Sequence, residues 1–373
     1  AYVYDYSGSG TTWTQVGSAI PNSGGNGQSS YTSMNKAGDI IAIHEQTNQT
    51  IRIYQFVDTD WVQLGSTLSN SYGSSGYFGE KMRLNAAGDM IIVGDYANDT
   101  INIFKYQNYD WVQIGDTLAG IAASDFGRGV AISDDGTKIV AGGWLADLNG
   151  TNSGYVQAFQ WSTKSYGPLI DISGETIIFG KDLHKDDPNY YKVVEDGMNS
   201  AVYSVTNELY GGTNTDYFGS SIAMNEDGSR MIVGAALGDE SATDDGYAMI
   251  LEWNNGRWGQ IGNIISPTST NYYRTGVTVD MNDAGDIVLV GALRGNDNNQ
   301  TGSISAYEYI NGDWSLKGSI IDGSSGKFGH ESCAMNGIGN VIAGIDIVGN
   351  VKVYQYVEAN SDWSQLGSTI SVS

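Results

Sequence analysis

Basic residues are scarce in this chain: 18 Lys and Arg stand against 42 Asp and Glu, a net charge of −24. So acidic a surface repels phosphate backbones and anionic headgroups, which excludes sequence-independent nucleic-acid binding and charge-driven adsorption to membranes. Cysteine is down to Cys333, so neither an internal disulfide nor a thiolate metal cluster can form. That residue lies in an apolar run and reads as a buried, inert thiol. The three histidines, His44, His184 and His330, form no His-x-x-x-His pair, and no Gly-x-Ser-x-Gly elbow is present. No apolar run approaches the roughly 18 residues of a membrane-spanning helix. The chain opens inside an alternating run, Tyr2-Val3-Tyr4-Asp5-Tyr6. Such a start is expected where a leader has been removed or where the chain is part of a longer polypeptide.

What is present is glycine, 51 residues against four prolines, and a repeat of about 50 residues. A Trp-x-Gln-x-Gly anchor recurs at Trp13/Gly17, Trp61/Gly65, Trp111/Gly115, Trp258/Gly262 and Trp363/Gly367, with Leu316 replacing Gln in Trp314/Gly318. Each unit then runs through a Gly/Ser-rich connection, Phe-Gly, two apolar runs joined by a turn, an Asn/Asp-rich loop and a Tyr-rich alternating strand. The turn is Asn35/Gly38, Asn85/Gly88, Ser133/Gly136, Asn225/Gly228, Asn282/Gly285 and Asn336/Gly339. Asn folds onto the backbone ahead of it and Gly takes positive φ, so these residues read as turn chemistry.

Four strands, a to d, are read per unit, which predicts an all-β propeller of four-stranded antiparallel blades in one domain spanning 1–373. The a–b pairs are placed near 28–44, 78–94, 126–142, 179–200 (a degenerate copy), 218–235, 275–292 and 328–344. Eight c–d pairs are read, including an extra amino-terminal hairpin at 1–20 and another in the degenerate copy at 201–212. Seven blades are expected, with eight as the alternative. The surplus hairpin is expected to complete a blade whose a–b pair lies outside this chain, to dock on a neighbouring copy in a head-to-tail filament, or to form an incomplete eighth blade of its own ring.

Phe78/Gly79, Phe126/Gly127, Phe218/Gly219 and Phe328/Gly329, with Val-Gly-Ala closing the next hairpin at 233–235 and 290–292, resemble FG-GAP repeats of the integrin-α propeller type. The likeness spans almost the whole chain and implies a propeller. Integrin-type repeats carry a long Asp-rich calcium loop between strands a and b. Here that loop has shrunk to Asn225–Gly228 or Ser133–Gly136, too short to supply six to eight oxygens.

The b–c loops hold four glycosylation sequons, at Asn48, Asn98, Asn149 and Asn299. A further b–c loop, 238–246, carries Asp239, Glu240, Asp244 and Asp245, a candidate partner-binding sector that offers at most weak Ca²⁺ binding. Among the aromatics outside repeat positions, Tyr72, Tyr77, Tyr190, Tyr191, Tyr272 and Tyr273 are candidates for stacking on a ligand. No pair of carboxylates is singled out for catalysis. The expectation is a non-enzymatic extracellular or cell-surface module for adhesion or assembly. It needs no cofactor and pairs with other proteins or copies of itself; a lectin-like propeller binding glycan or calcium is the competing reading.

Overall fold

The computed structural model describes residues 1–6, 12–21, 31–70, 77–163, 170–172, 175–177, 201–212, 215–239, 244–266, 274–293, 301–323, 326–330 and 332–371. The chain is all-β and forms six four-stranded antiparallel blades, not the seven or eight expected. An amino-terminal hairpin, β1 (Tyr4–Tyr6) and β2 (Trp13–Gln15), precedes them. Blade one is β3 (Thr32–Met34), β4 (Ile40–Glu45), β5 (Thr50–Val57) and β6 (Asp60–Gln63), with β7 (Leu68–Ser69) added on β5. Blade two is β8 (Phe78–Leu84), β9 (Met90–Asp95), β10 (Thr100–Gln107) and β11 (Asp110–Gln113), with β12 (Leu118–Ala119) on β10. Blade three is β13 (Gly129–Ile132), β14 (Lys138–Gly143), β15 (Tyr155–Thr163) and, beyond the small hairpin β16 (Ile170–Ile172) and β17 (Glu175–Ile177), β18 (Ala201–Tyr210). Blade four is β19 (Phe218–Met224), β20 (Arg230–Ala235), β21 (Tyr247–Asn254) and β22 (Arg257–Gln260). Blade five is β23 (Thr278–Met281), β24 (Ile287–Ala292), β25 (Ser303–Ile310) and β26 (Asp313–Leu316), with β27 (Ile321–Asp322) on β25. Blade six is β28 (Cys333–Met335), β29 (Val341–Ile345), β30 (Val351–Val357) and β31 (Asp362–Gln365).

The blade count fell because the outer run of the degenerate copy joins blade three. The run 201–210 is the outer strand of blade three, paired to β15 from Tyr155↔Tyr210 to Thr163↔Ala201. Its proposed a–b pair at 179–200 lies outside the described residues. A ten-residue strand of alternating residues satisfies the same pattern whether it opens a hairpin or closes one, so periodicity could not tell the two apart.

Strand b is the apolar strand because it is covered on both faces: β4, β9 and β24 are buried throughout. The Phe of each Phe-Gly is enclosed between blades, with Phe78, Phe126, Phe218 and Phe328 all fully buried. Two glycines bring the inner strands together. A Cβ on Gly94 would lie 2.1 Å from the Gly127 carbonyl oxygen of the next blade, and Gly234 stands in the same relation to Gly276 at 1.9 Å. Any side chain there would drive adjacent blades apart.

The a–b turns are locked by their Asn, except in blade three, where Ser133 Oγ accepts from Lys138 N–H at 3.0 Å. Asn35 Oδ1 accepts from the N–H groups of Asp39 and Ile40, at 3.1 and 2.9 Å, and Asn85, Asn282 and Asn336 repeat the arrangement. These turns converge at one end of the central channel. There Asp134 N–H donates to Glu226 C=O, Glu226 N–H to Asp283 C=O, and Asp283 N–H to Gly337 C=O. Lys36 of blade one reaches Asp134, Glu226 and Asp283 of blades three to five, with Nζ at 3.0, 3.4 and 2.8 Å.

At the rim, the repeated Trp joins blade to blade. The indole N–H of Trp61, Trp111, Trp314 and Trp363 donates to Val16, Leu64, Ile261 and Lys317 C=O of the preceding unit, at 2.7–3.0 Å. The Asp before each Trp accepts from the same neighbour, as Asp110 does from Ser66 N–H at 2.6 Å. The amino-terminal hairpin takes part in this ring. Trp61 is bonded to it through Val16, and Trp13 lies against Gly367 of blade six.

Candidate functional site

The first strands of the blades wall a central cavity of about 350 Å³. Its mouth lies at the end where strands a begin and strands b finish, opposite the Lys36 cluster. Most blades present small or apolar residues here, such as Ser220, Ser221, Val277, Thr278 and Ala334. Blades two and three break that pattern with Glu80, Lys81, Arg83 and Arg128.

These side chains are held by aromatic neighbours. Arg128 lies over the rings of both Tyr96 and Trp144, its guanidinium carbon 4.6 Å from each ring centre. Trp144 is fixed by its own bond to Asp125 at 2.7 Å. Tyr77 stacks on Tyr96 at 4.6 Å with 9° between the planes, and the Tyr96 hydroxyl donates to Glu80 Oε2 at 2.6 Å. Burial and that bond to a carboxylate push the Tyr96 hydroxyl well above the ordinary tyrosine range, so it stays a donor. Lys81 lies over Tyr31 at 5.0 Å.

Behind Glu80, His44 is completely buried at the end of β4. Burial lowers its pKa, with the Glu80 charge opposing that shift, so the ring is held toward its neutral form. Neither ring nitrogen makes a regular hydrogen bond among the described residues; Gln49 and the Phe78 backbone are the polar groups close enough to favour the charged form. Deeper down, Asp280 accepts from the N–H groups of Met335 and Met281, at 2.7 and 3.0 Å. Burial raises its pKa, with Arg83 opposing. The Cys333 thiol is pushed up to about 12 by burial, so it is neither a nucleophile nor a ready ligand.

The three carboxylates of the opposite end approach closely enough to share a cation. The cation they hold is the Lys36 ammonium, itself raised well above the ordinary lysine range, chiefly by its bond to Asp283.

The sites predicted from sequence lie elsewhere. Asn48, Asn98 and Asn149 are exposed in b–c loops, and Asn299 lies outside the described residues. Asn98 and Asn149 already use their amide nitrogens, on Asp95 Oδ2 at 2.8 Å and Gly211 C=O at 3.0 Å. In the acidic loop Asp239 is exposed and accepts from Asp244 N–H, Asp245 is fully buried, and Glu240 lies outside the described residues. The backbone of that loop anchors the entry to blade five through Thr275 N–H on Asp245 C=O at 2.8 Å. Replacing Asp245 along with its neighbours would alter a fully buried side chain as well. Tyr77 stands at the mouth, whereas Tyr72, Tyr190, Tyr191, Tyr272 and Tyr273 lie outside the described residues. Glu80, Lys81, Arg83 and Arg128 were missed. Their signal was weak: Glu80 and Arg128 directly follow Phe-Gly where other repeats have Ser220 or Val277, but His330, Glu331 and Asp280 break the same pattern in blades five and six.

No protein-family model matches the chain, and no curated protein matches it in sequence. Solved structures do share its fold. A candidate 6-phosphogluconolactonase from Bacteroides uniformis superposes with a TM-score of 0.64 at 14% identity, covering 100% of this chain and 92% of its own. A second candidate 6-phosphogluconolactonase, from Bacteroides fragilis, gives 0.59 at 12%, covering 100% and 90%. The β-propeller domain of Cps50 (Swd1) from Myceliophteria thermophila gives 0.54 at 9%, covering 87% and 83%. At these identities the likeness carries the fold alone.

The expectation of a non-catalytic adhesion module does not stand beside these neighbours. That expectation excluded an enzyme because the repeat showed no catalytic pair. Proteins named for a hydrolase activity now stand among those sharing the whole fold, and a charged cavity that the repeat pattern concealed opens at its centre.

Proposed function

We propose that the central channel binds a small anionic substrate and that its chemistry is hydrolytic, on a phosphorylated sugar lactone of the kind named for the two Bacteroides neighbours. The observation that carries this reading is charge placement. In a chain of net charge −24, Lys81, Arg83 and Arg128 gather on one cavity. A cationic pocket within an anionic surface selects a compact anion by local attraction and rejects larger polyanions at a distance.

In this reading Arg128, held flat by Tyr96 and Trp144, and Lys81 bind the phosphate. Glu80 is the lining carboxylate within that group and takes a proton from the attacking water. The water oxygen bonds to the lactone carbonyl carbon, the ring carbon–oxygen bond breaks, and the released ring oxygen takes up a proton. The product acid then ionises. Membership of the FG-GAP class is part of the same proposal, supported by the buried Phe and positive-φ Gly of each Phe-Gly.

The test is hydrolysis of 6-phosphogluconolactone, followed as acid release above the spontaneous rate, with calorimetric binding of 6-phosphogluconate. Glu80→Gln should lower kcat with KM little changed, and Arg128→Met should raise KM at least tenfold. Neither turnover nor product binding by the folded wild type would sink the proposal. Binding without turnover would reduce it to an anion-binding propeller.

A further inference from the structure

Arg83 lines the central cavity, yet the reading above gives it no role. Its place in the wall defines a second, deeper level. Strand β8 alternates: Met82 and Leu84 are buried, whereas Lys81 is half-buried and Arg83 exposed on the opposite, channel face. Two residues along a strand set Arg83 roughly 7 Å farther from the mouth than Lys81.

The a–b turns fix this depth in every blade. Two places before each turn Asn or Ser stand Ser33, Arg83, Ala131, Ala223, Asp280 and Ala334, so these six share one level. Leu84 N–H donates to Ser33 Oγ across one blade junction at 2.9 Å, and Met335 N–H donates to Asp280 across another at 2.7 Å. The second Asp280 oxygen accepts from Met281 N–H at 3.0 Å. Asp280 feels the Arg83 charge, but backbone donors already satisfy both of its oxygens. The three alanines bring only methyl groups and leave room. Arg83 donates to its own neighbour, Met82 C=O, at 3.4 Å, the one hydrogen bond it makes among the described residues. A guanidinium carries five N–H donors, so most of this fork is unspent.

Below this level lies the floor. Lys36, Asp134, Glu226 and Asp283 each follow their turn Asn or Ser, and three carboxylates around one ammonium leave that end negative. An anionic group descending the channel is drawn to Arg83 and turned back by the floor.

We propose that the channel binds a two-ended anion, a phosphorylated sugar acid, with its phosphate at Arg128 and Lys81 and its carboxylate at Arg83. Charge assigns the ends. A phosphate carries close to two negative charges and meets two cations; a carboxylate carries one and meets one. A cavity of about 350 Å³ is at the small end for ligand sites, so the molecule joining the two levels is a compact, hexose-sized chain. The mouth end rests on the reading above. The deep end follows from Arg83 whatever chemistry Glu80 performs.

The test is calorimetric titration of the full protein with 6-phosphogluconate and with glucitol 6-phosphate, which has a neutral hydroxymethyl group in place of the carboxylate. The wild type should bind the acid at least about tenfold more tightly, as a charge-assisted hydrogen bond provides. Arg83→Met should abolish that preference and leave glucitol 6-phosphate affinity unchanged, whereas Arg83→Lys, which keeps the charge, should retain part of it. Arg128→Met should weaken both ligands alike, which separates the two ends. Equal affinities in the wild type, or an undiminished preference in Arg83→Met shown to be folded by circular dichroism, would overturn the two-ended site alone. Failure of both ligands to bind would remove it together with the phosphate reading. A preference for the acid in a protein that does not hydrolyse the lactone would uphold the site and discard only the hydrolysis.

Discussion

Among the described residues, four junctions at the rim of the ring are stapled and three are not. From the amino-terminal hairpin to blade two, and from blade four to blade six, each Trp donates across the junction and each preceding Asp accepts back. Around blade three no such staple is found among the described residues. Among the described residues nothing stands over Gly115, and the indole N–H of Trp258 has no partner. At the closing junction Trp13 lies against Gly367, but its N–H is likewise without a partner and Thr12 stands where Asp would. Blade three nonetheless buries Ile139, Val140 and Ala141 completely. Inner packing therefore holds a blade in place without rim bonds. The staples add stability to junctions already made and fix how the outer strands follow one another.

The largest expected break in this contrast comes from Trp111→Ala. Trp111 is buried and stapled, so its loss should cost about 3–5 kcal/mol, from the cavity left and the freed Leu64 carbonyl. Trp13→Ala should cost about half as much or less, since Trp13 is half-buried and makes no such bond. Urea unfolding of both variants compares them, and equal losses would show that the staples contribute nothing.

A smaller effect is expected at the opposite end of the channel. Lys36→Met leaves Asp134, Glu226 and Asp283 to repel one another, yet all four side chains are partly solvated. Screening should hold the loss to about 1 kcal/mol, and it should shrink as salt is added. A loss independent of ionic strength would mean that Lys36 acts by packing.

The smallest effect is read in acid. Asp60, Asp110 and Asp362 are held below the ordinary carboxylate range, first by the N–H of Ser18, Ser66 and Ser319 respectively and then by the following Trp N–H. A depressed pKa favours the charged folded form. The contribution is therefore complete above the unfolded-state pKa and is lost as pH falls through the folded-state value. Asp110→Asn keeps an acceptor but removes the titration, so the fall in Tm below pH 4 should be shallower than in wild type. Superimposable acid profiles would detach these carboxylates from stability.

The blades were legible because their signals are local. Asn-x-x-Gly turns, Phe-Gly and the Trp anchor each act within one or two strands, and Asn85 or Phe78 does what its neighbours in sequence suggest. The blade count was not legible, because β18 is separated from β15 by a long insertion and pairs with it over that distance. The site was hidden for a related reason. Glu80, Lys81 and Arg128 belong to two repeats and meet only when the ring brings blades two and three together. Read singly, each is an ordinary charged residue in or just before a strand. The acidic loop misled in the opposite sense: Asp245 looks solvated in sequence, but the turn buries it.

The Asn turns also bear on how the protein ages. Asn336 is followed by Gly337, the pairing in which a backbone nitrogen most readily attacks the side-chain amide and converts Asn to isoaspartate. Here Asn336 Oδ1 accepts from Asn340 and Val341 N–H while its Nδ2 donates to Asn340 Oδ1 at 2.8 Å. Held on both sides, the amide cannot swing toward the Gly337 nitrogen. Months of storage should leave position 336 intact in the folded ring while the same peptide, unfolded, deamidates in days. Isoaspartate at 336 in folded material, seen by peptide mapping, would show that the clamp opens. If it holds, the bonds that shape the hairpin also set the chemical shelf life of its weakest peptide link.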